Sequence, residues 1–521
     1  MRLDKHLHNK ERNNRQNELF HILTSITGLV IISKIFGFIK QMVMANVFGA
    51  TIETDLVSLS QGLYGNIEYV IAQVFTTAFV SIYIYIKSAD ITKSKIFISD
   101  VIKLMVGGSC IIAAAMVLCS PLLSRIIAPS YSDDLCKRLT FYIVVFSPVL
   151  IVFSITAVFQ SILNANNRYI PCQMTGLNQS IITIIFILTM TGKIGIWSLI
   201  ISSFVYPLWN AVYLLKKSCL YLGLTKETHF KSQEIHQFIK MMGPLFVGYS
   251  MVFVNQQVDK ILVSGLGDGV VTAMGYGAVL SNLVITLIAS FCTVFFTRLT
   301  EKISINDGMA VIAVFNKAFF LLITIFLPVS IITVLCAKEI VVIAFGRGEF
   351  GNKAVSNAAM ALMGYGFMFV PNSIKNLCSR YMYGNKDSKT PMANSSLAMI
   401  VNIIMSVLLV KKLGIFGITF ASSIAEGMCA LLNMAQVKKE MFSSKNDYVL
   451  KRYMILWIIG GGVCALLCFT LKNIINDIPV FLKFIVVSIV SLAGYVICIC
   501  PMLIRQIICI DDDFLNKYHK K

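Results

Sequence analysis

Apolar residues run along this chain in long stretches separated by short polar turns. A helix that crosses the hydrocarbon core of a bilayer needs about 20 apolar residues. Runs of that kind fall near residues 20–46, 54–86, 98–124, 138–164, 172–192, 194–215, 234–264, 270–298, 310–336, 354–380, 390–410, 413–437, 453–472 and 479–505. Periodicity alone does not separate a membrane helix from a buried soluble one, but length and number do. The pattern therefore predicts an all-α polytopic membrane protein of about fourteen transmembrane helices. The polar connections are too short to hold a soluble domain. Gly and Pro inside the runs, among them Gly37, Gly62, Pro148, Pro244, Gly277, Pro328, Gly364, Gly366 and Pro371, predict bent or broken spans. Membrane helices tolerate such breaks where neighbours or a cavity satisfy the freed backbone groups.

The loops set the expected topology. Basic residues crowd the N-terminal tail, then Lys87, Lys93 and Lys95, then Lys216, Lys217, Lys226 and Lys231. They return at Lys438, Lys439, Lys445, Lys451 and Arg452 and in the C-terminal tail. All of these follow even-numbered spans or precede the first, so the positive-inside rule puts both termini in the cytoplasm. Lys137, Arg138, Arg347, Lys353, Lys411 and Lys412 fall on the other side as exceptions. The longest basic connection lies between spans six and seven. The expected plan is a basic tail (1–19), an N-terminal lobe of six helices (20–217), a cytoplasmic linker (218–233), a C-terminal lobe of six (234–437) and two further helices with a tail (438–521). Transporters built of such repeats place their substrate sites at the bundle interface.

Composition agrees. Mean hydropathy is +0.77, hydrophobic residues make up 57% and charged residues 14%, where a soluble domain is about half apolar and a quarter charged. A net charge of +19 raises nucleic-acid binding as a reading, but its confinement to alternate loops argues for membrane topology instead. The Cys residues sit mostly in apolar runs, as Cys110, Cys292, Cys464 and Cys468 do. No CxxC pair flanks a His cluster, so no metal site is expected. The first run, from Phe20 to about Met44, is too long for a signal-peptide core and lacks a cleavage site, so it reads as a retained helix.

No GxxxxGK[ST], HExxH or GxSxG motif occurs, which excludes a built-in ATP motor and leaves an enzyme little to stand on. The chain reads as a secondary transporter without cofactor, driven by a coupling ion or the membrane potential, each charge being worth about 2.3 kcal/mol per 100 mV. Ionisable residues inside spans are costly and usually functional. Lys34 and Lys40 lie in the first span on either side of Gly37. They would meet an anionic, phosphate-rich head group, or else Lys40 snorkels to an interface and Lys34 pairs with an acid. Asp55 opens the second span, where it or Thr54 serves as a cap or a gate. Glu68 is a counter-ion candidate for Lys34 or Lys40. Asp259 and Lys260 neutralise each other locally or face a cavity. Glu426, among small residues, binds a coupling cation or proton, or packs as a protonated acid.

Ser33 to Val80 carries a Ser-basic-x-x-Gly-Phe-x-basic segment, then Phe48-Gly49-Ala50, Thr54-Asp55 and Ala78-Phe79-Val80, and in these motifs the chain resembles the MurJ (MviN) lipid II flippase family. Leu163 to Pro171, with Arg168, is similar to the family's connection after the fourth helix. Phe345 to Phe350, with Arg347, is similar to its Gly-Arg-Gly-x-Phe loop. Tyr383 to Pro391, with Lys386 and Asp387, is similar to its loop before the eleventh helix. The resemblance implies the fold of the multidrug/oligosaccharidyl-lipid/polysaccharide exporter superfamily: fourteen helices in two lobes around a central cationic cavity. It implies alternating access for an undecaprenyl-pyrophosphate-linked cell-wall precursor in the bacterial plasma membrane, with membrane lipids and cell-wall synthesis proteins as partners. A flippase for another lipid-linked polysaccharide, or a cation-coupled multidrug exporter, is the alternative. By position, Lys34, Lys40 and Asp55 fall where the family binds substrate, Lys replacing Arg. Where the family has basic residues in the second span, this chain has Asn66, Ile67 and Glu68; where it has Asp-Arg in the eighth, this chain has Ala278-Val279. The cavity is expected to be less positive as a result.

Overall fold

The computed structural model describes residues 28–222, 229–230, 232–441, 447–475 and 478–518. The basic tail 1–19 and part of the linker lie outside the described residues. Every regular element among those described is helical. The first unit holds α1 (Gly28–Phe48), α2 (Ile52–Ala89), α3 (Ile91–Leu118), α4 (Ser120–Ile127), α5 (Asp133–Phe146), α6 (Val149–Ala165), α7 (Tyr169–Ile194), α8 (Trp197–Ser218) and α9 (Gln233–Ser264). The second holds α10 (Val270–Ser304), α11 (Gly308–Leu335), α12 (Ala337–Phe345), α13 (Asn352–Gly366), α14 (Phe369–Gly384), α15 (Lys389–Met441), α16 (Asp447–Ile474) and α17 (Val480–Tyr518). The two compact units meet between Gly265 and Leu266.

Among the described residues, twelve helices are long and apolar enough to cross a membrane, or thirteen when α13 and α14, bent by 42° at their junction, count as one span. α15 turns at Gly414 and so contains two spans, which brings the thirteen to the expected fourteen. Of the prolines expected to break helices, Pro244 and Pro328 stay inside continuous helices, whereas Pro148 sits at the break between α5 and α6.

The first unit is held by an aromatic seam. Phe79 stacks on Phe75 and Tyr83 at 5.2 Å each and on Phe97 at 5.7 Å. Phe238 of α9 meets Phe75 and Phe97 edge-on at 5.7 and 6.1 Å. Span seven, which the sequence plan counts with the C-terminal lobe, thus packs into the first unit. Lipid is as apolar as these side chains, so close packing rather than escape from water secures the helices. In the second unit the close approach of α10 and α13 depends on Gly277, where a Cβ would come within 2.7 Å of the Ala361 methyl and 2.9 Å of the Ala358 carbonyl.

The units repeat one plan. Gly195, between α7 and α8, and Gly414, inside α15, share the same backbone angles, φ 56° and ψ −134°. Asn167 and Lys386 both adopt positive φ, 58° and 65°. Each is followed by a residue whose N–H bonds five residues back, Arg168 to Leu163 at 2.8 Å and Asp387 to Met382 at 2.9 Å, the Schellman ending of a helix. Both pairs are offset by 219 residues (414 less 195, 386 less 167). The same offset carries Pro148, at the α5–α6 break, onto Phe367, at the α13–α14 break. The sequence shows the repeat as Lys193-Ile194-Gly195-Ile196-Trp197 and Lys412-Leu413-Gly414-Ile415-Phe416.

Candidate functional site

The first span presents its two lysines differently. A Cβ on Gly176 of α7 would sit 2.9 Å from the Ser33 hydroxyl, and one on Gly37 would sit 3.9 Å from the Ser180 hydroxyl. Ser33, Gly37 and Lys40 recur at i, i+4 and i+7, so they share the stripe that faces α7. Lys40 is half-buried on that stripe, and Lys34, a residue off it, is exposed. The two ammonium groups therefore do not share one face of α1.

Asp55 is wholly buried in the first turn of α2, but neither it nor Thr54 is the cap. Thr51 is the N-cap, and its hydroxyl and that of Thr54 form a reciprocal capping box. Nearby, Glu53 pairs with Arg138 and accepts from the Tyr142 hydroxyl at 3.3 Å.

Glu68 lines a cavity of about 110 Å³ walled by α2, α6, α7 and α8. Its other polar walls are Thr156, Gln160, Thr175, Gln179, Tyr206 and Asn210. Gln160 donates to the Thr175 hydroxyl at 3.2 Å, Asn178 to the Asn210 carbonyl at 3.1 Å, and Asn210 to the Thr175 main-chain carbonyl at 3.1 Å. Gln179 hydrogen-bonds the Tyr206 hydroxyl, and the Glu68 carboxylate acts electrostatically on the same phenol. The sequence reading offered Glu68 as counter-ion to Lys34 or Lys40; no such ion pair exists among the described residues.

In α9, the Lys260 ammonium lies against Gly62 of α2, where a Cβ would displace it. The neighbouring Asp259 is half-buried. Glu426 is not an isolated acid: Lys375 of α14 donates to it at 2.7 Å and Asn372 at 3.1 Å.

The loop motifs fold as structural locks. Arg168 is exposed at the start of α7. Around Arg347, Phe345 and Phe350 close on Tyr276, with ring centroids 4.8 and 5.2 Å away, and Gly348 takes a positive φ of 58°. Lys386 ends α14. Asp387 caps α15 by accepting from the N–H groups of Lys389 and Thr390 at 3.0 and 3.1 Å. Pro391, buried, stands in that helix's first turn, where its missing N–H costs nothing.

The neutral residues Gln160, Thr175, Gln179, Tyr206 and Asn210 carry no charge to mark them in the sequence, whereas Lys375 is a charge inside the tenth apolar run whose partner lies 51 residues away. The signal of the neutral residues was present as amides and hydroxyls recurring inside apolar runs.

Fourteen spans among the described residues, in two like-built units with ionisable groups held between helices, define a multi-pass membrane transporter. The model of the family described as "Lipid II flippase MurJ" matches residues 44–487, and this chain belongs to that family, one of transporters rather than enzymes. Relatives named "Probable lipid II flippase MurJ" include those of Rickettsia prowazekii, 24% identical with 78% of this chain and 81% of the relative covered. Another is that of Buchnera aphidicola subsp. Schizaphis graminum, 25% identical with 77% and 80% covered. Among solved structures, "Lipid II flippase MurJ, inward closed conformation" has the same fold, at TM-score 0.79 and 20% identity over 93% of this chain and all of that one (100%). An inward-facing MATE-family multidrug transporter of the MOP superfamily follows at TM-score 0.62 and 12% identity, covering 78% and 94%.

Proposed function

We propose that this protein moves an undecaprenyl-pyrophosphate-linked cell-wall precursor, lipid II or a close relative, from the inner to the outer leaflet of a bacterial plasma membrane by alternating access. The observation that carries the reading is the family match across residues 44–487. The physical need is plain. A charged sugar head does not cross hydrocarbon unaided, because burying it without partners costs many kcal/mol. Fixed cations that replace its hydration, while the lipid tail stays in the membrane, lower that barrier. Lys34 and Lys40 are the cations assigned to the diphosphate, and Asp55, in the first turn of α2, is the acidic member of the assigned site. Both termini are placed in the cytoplasm by the positive-inside rule. A coupling ion or the membrane potential supplies the work, and proteins of wall synthesis are the expected neighbours.

The test is complementation of cells depleted of their own lipid II flippase. Wild-type chain restores growth, and Lys34→Ala and Lys40→Ala abolish rescue while inserting at normal levels. Stable insertion without rescue by the wild type moves the cargo to another lipid-linked glycan. Rescue by both lysine variants removes the site assignment.

A further inference from the structure

The repeat exposes a difference between the units that neither unit shows alone. Applying the 219-residue offset of the matched turns, Phe153, Thr156 and Pro207 correspond to Asn372, Lys375 and Glu426. The first three line the cavity of the first unit; the second three are the hydrogen-bonded ion pair of the second. Both units therefore hold one carboxylate in the same cleft, Glu426 in one and Glu68 in the other. In the second unit a lysine on the spot neutralises it. In the first unit a threonine stands where that lysine would be, and Glu68 forms no ion pair among the described residues.

A lone carboxylate inside a membrane helix bundle is costly unless a counter-charge or a watery cavity compensates it. The cleft beside Glu68 offers the neutral oxygens of Gln160, Thr175, Gln179 and Tyr206. Gln160 spends its amide N–H on Thr175 and keeps its carbonyl oxygen for a ligand. An all-oxygen set suits hard cations. A single carboxylate matches a single positive charge, and among the described residues no cluster of three or more His, Cys, Asp or Glu exists to hold a multivalent metal. The cavity, about 110 Å³, exceeds the ~10–15 Å³ that one water needs, so an ion with part of its hydration fits.

We propose that this cleft is a site for a monovalent alkali cation, which does in the first unit what the Lys375 ammonium does in the second. The inference deepens the flippase reading by naming a coupling ion and its seat, and its test does not depend on the cargo. The full chain, purified in detergent, is titrated with sodium against choline at constant ionic strength, and both thermal unfolding and binding of radioactive sodium are read. Lithium and potassium are run in parallel. Wild-type protein shows a saturable, alkali-specific rise in Tm and stoichiometric binding. Glu68→Gln, which keeps the shape, loses both. Thr175→Val and Gln179→Leu, which keep the charge, weaken the affinity by about tenfold or more. Thr156→Lys, which transplants the second unit's solution, folds and no longer binds sodium. An unchanged sodium response in Glu68→Gln overturns the proposal. So does a wild type that responds to no alkali cation, since the acid is then simply protonated. If Glu68→Gln does not fold, Thr175→Val, Gln179→Leu and Thr156→Lys decide, and sodium binding undiminished in all three overturns the proposal. Cation binding that survives alongside failed complementation moves the cargo to another lipid-linked glycan and leaves the site standing.

Discussion

Lys375 and Glu426 show how a single charged side chain endures inside a membrane helix. Each is about a quarter exposed, 22% and 25%, and each is the other's neutraliser. Removing one partner from a fully buried pair costs about 3–5 kcal/mol, because the remaining charge is stranded. With partial access to solvent, Lys375→Ala is expected to cost less, about 2–3 kcal/mol. The double variant Lys375→Met, Glu426→Leu recovers most of that loss, since no orphan charge remains. Thermal unfolding of the two variants in one detergent reads the difference. Glu426 was legible in the sequence as an acid in an apolar run. Its partner was not, because Lys375 stands 51 residues away and only the fold brings them together. The same limit hid the amides around Glu68. An amide in a span carries no charge to draw attention, and its meaning appears only when four helices turn it inward.

Helices in this chain are punctuated by glycine and by caps, and these are the parts that sequence announces best. Gly195 and Gly414 hold φ at 56°, a conformation that residues with a Cβ enter only under strain. Gly195→Ala and Gly414→Ala should each destabilise the folded protein by about 1–3 kcal/mol. Gly192→Ala, in the adjoining helix interior with nothing within 4 Å of the added carbon, should be neutral or slightly stabilising; the three melting temperatures compared side by side provide the check. The entry to α15 has its own signature in pH. Bonds from the Thr390 hydroxyl and N–H, then from the Lys389 N–H, hold the Asp387 carboxyl below its ordinary value of 3.8. A depressed carboxylate contributes stability above its unfolded pKa and loses it as pH falls through the folded one. The gap in Tm between wild type and Asp387→Ala should stay level from neutrality down to about pH 5, then close below about pH 4. A gap that narrows between pH 7 and 5 would reject the cap as its source. The capping of α2 was read less well from sequence. Thr51, Thr54 and Asp55 are all competent caps, and only the backbone angles choose Thr51.

At the scale of the whole chain, the fourteen spans were legible because hydrocarbon demands length and apolarity from every one of them. The packing of α9 was not: the 219-residue offset makes it the counterpart of α1, opening the second repeat as span counting has it, yet Phe238 and the glycine-sized gap at Gly62 pack it against α2. Nor did charge counting alone disclose the internal repeat, whose marks are two glycines and two helix endings, with Lys193 and Lys412 the one lysine pair beside them at the same offset. That repeat bears on ancestry. A turn reproduced to the degree in both halves is the trace of a shorter forebear that was doubled end to end, and the cleft beneath it was inherited twice. The descendants then diverged over a single inherited problem: one grew its own tethered counter-charge, and the other kept a berth for a passenger.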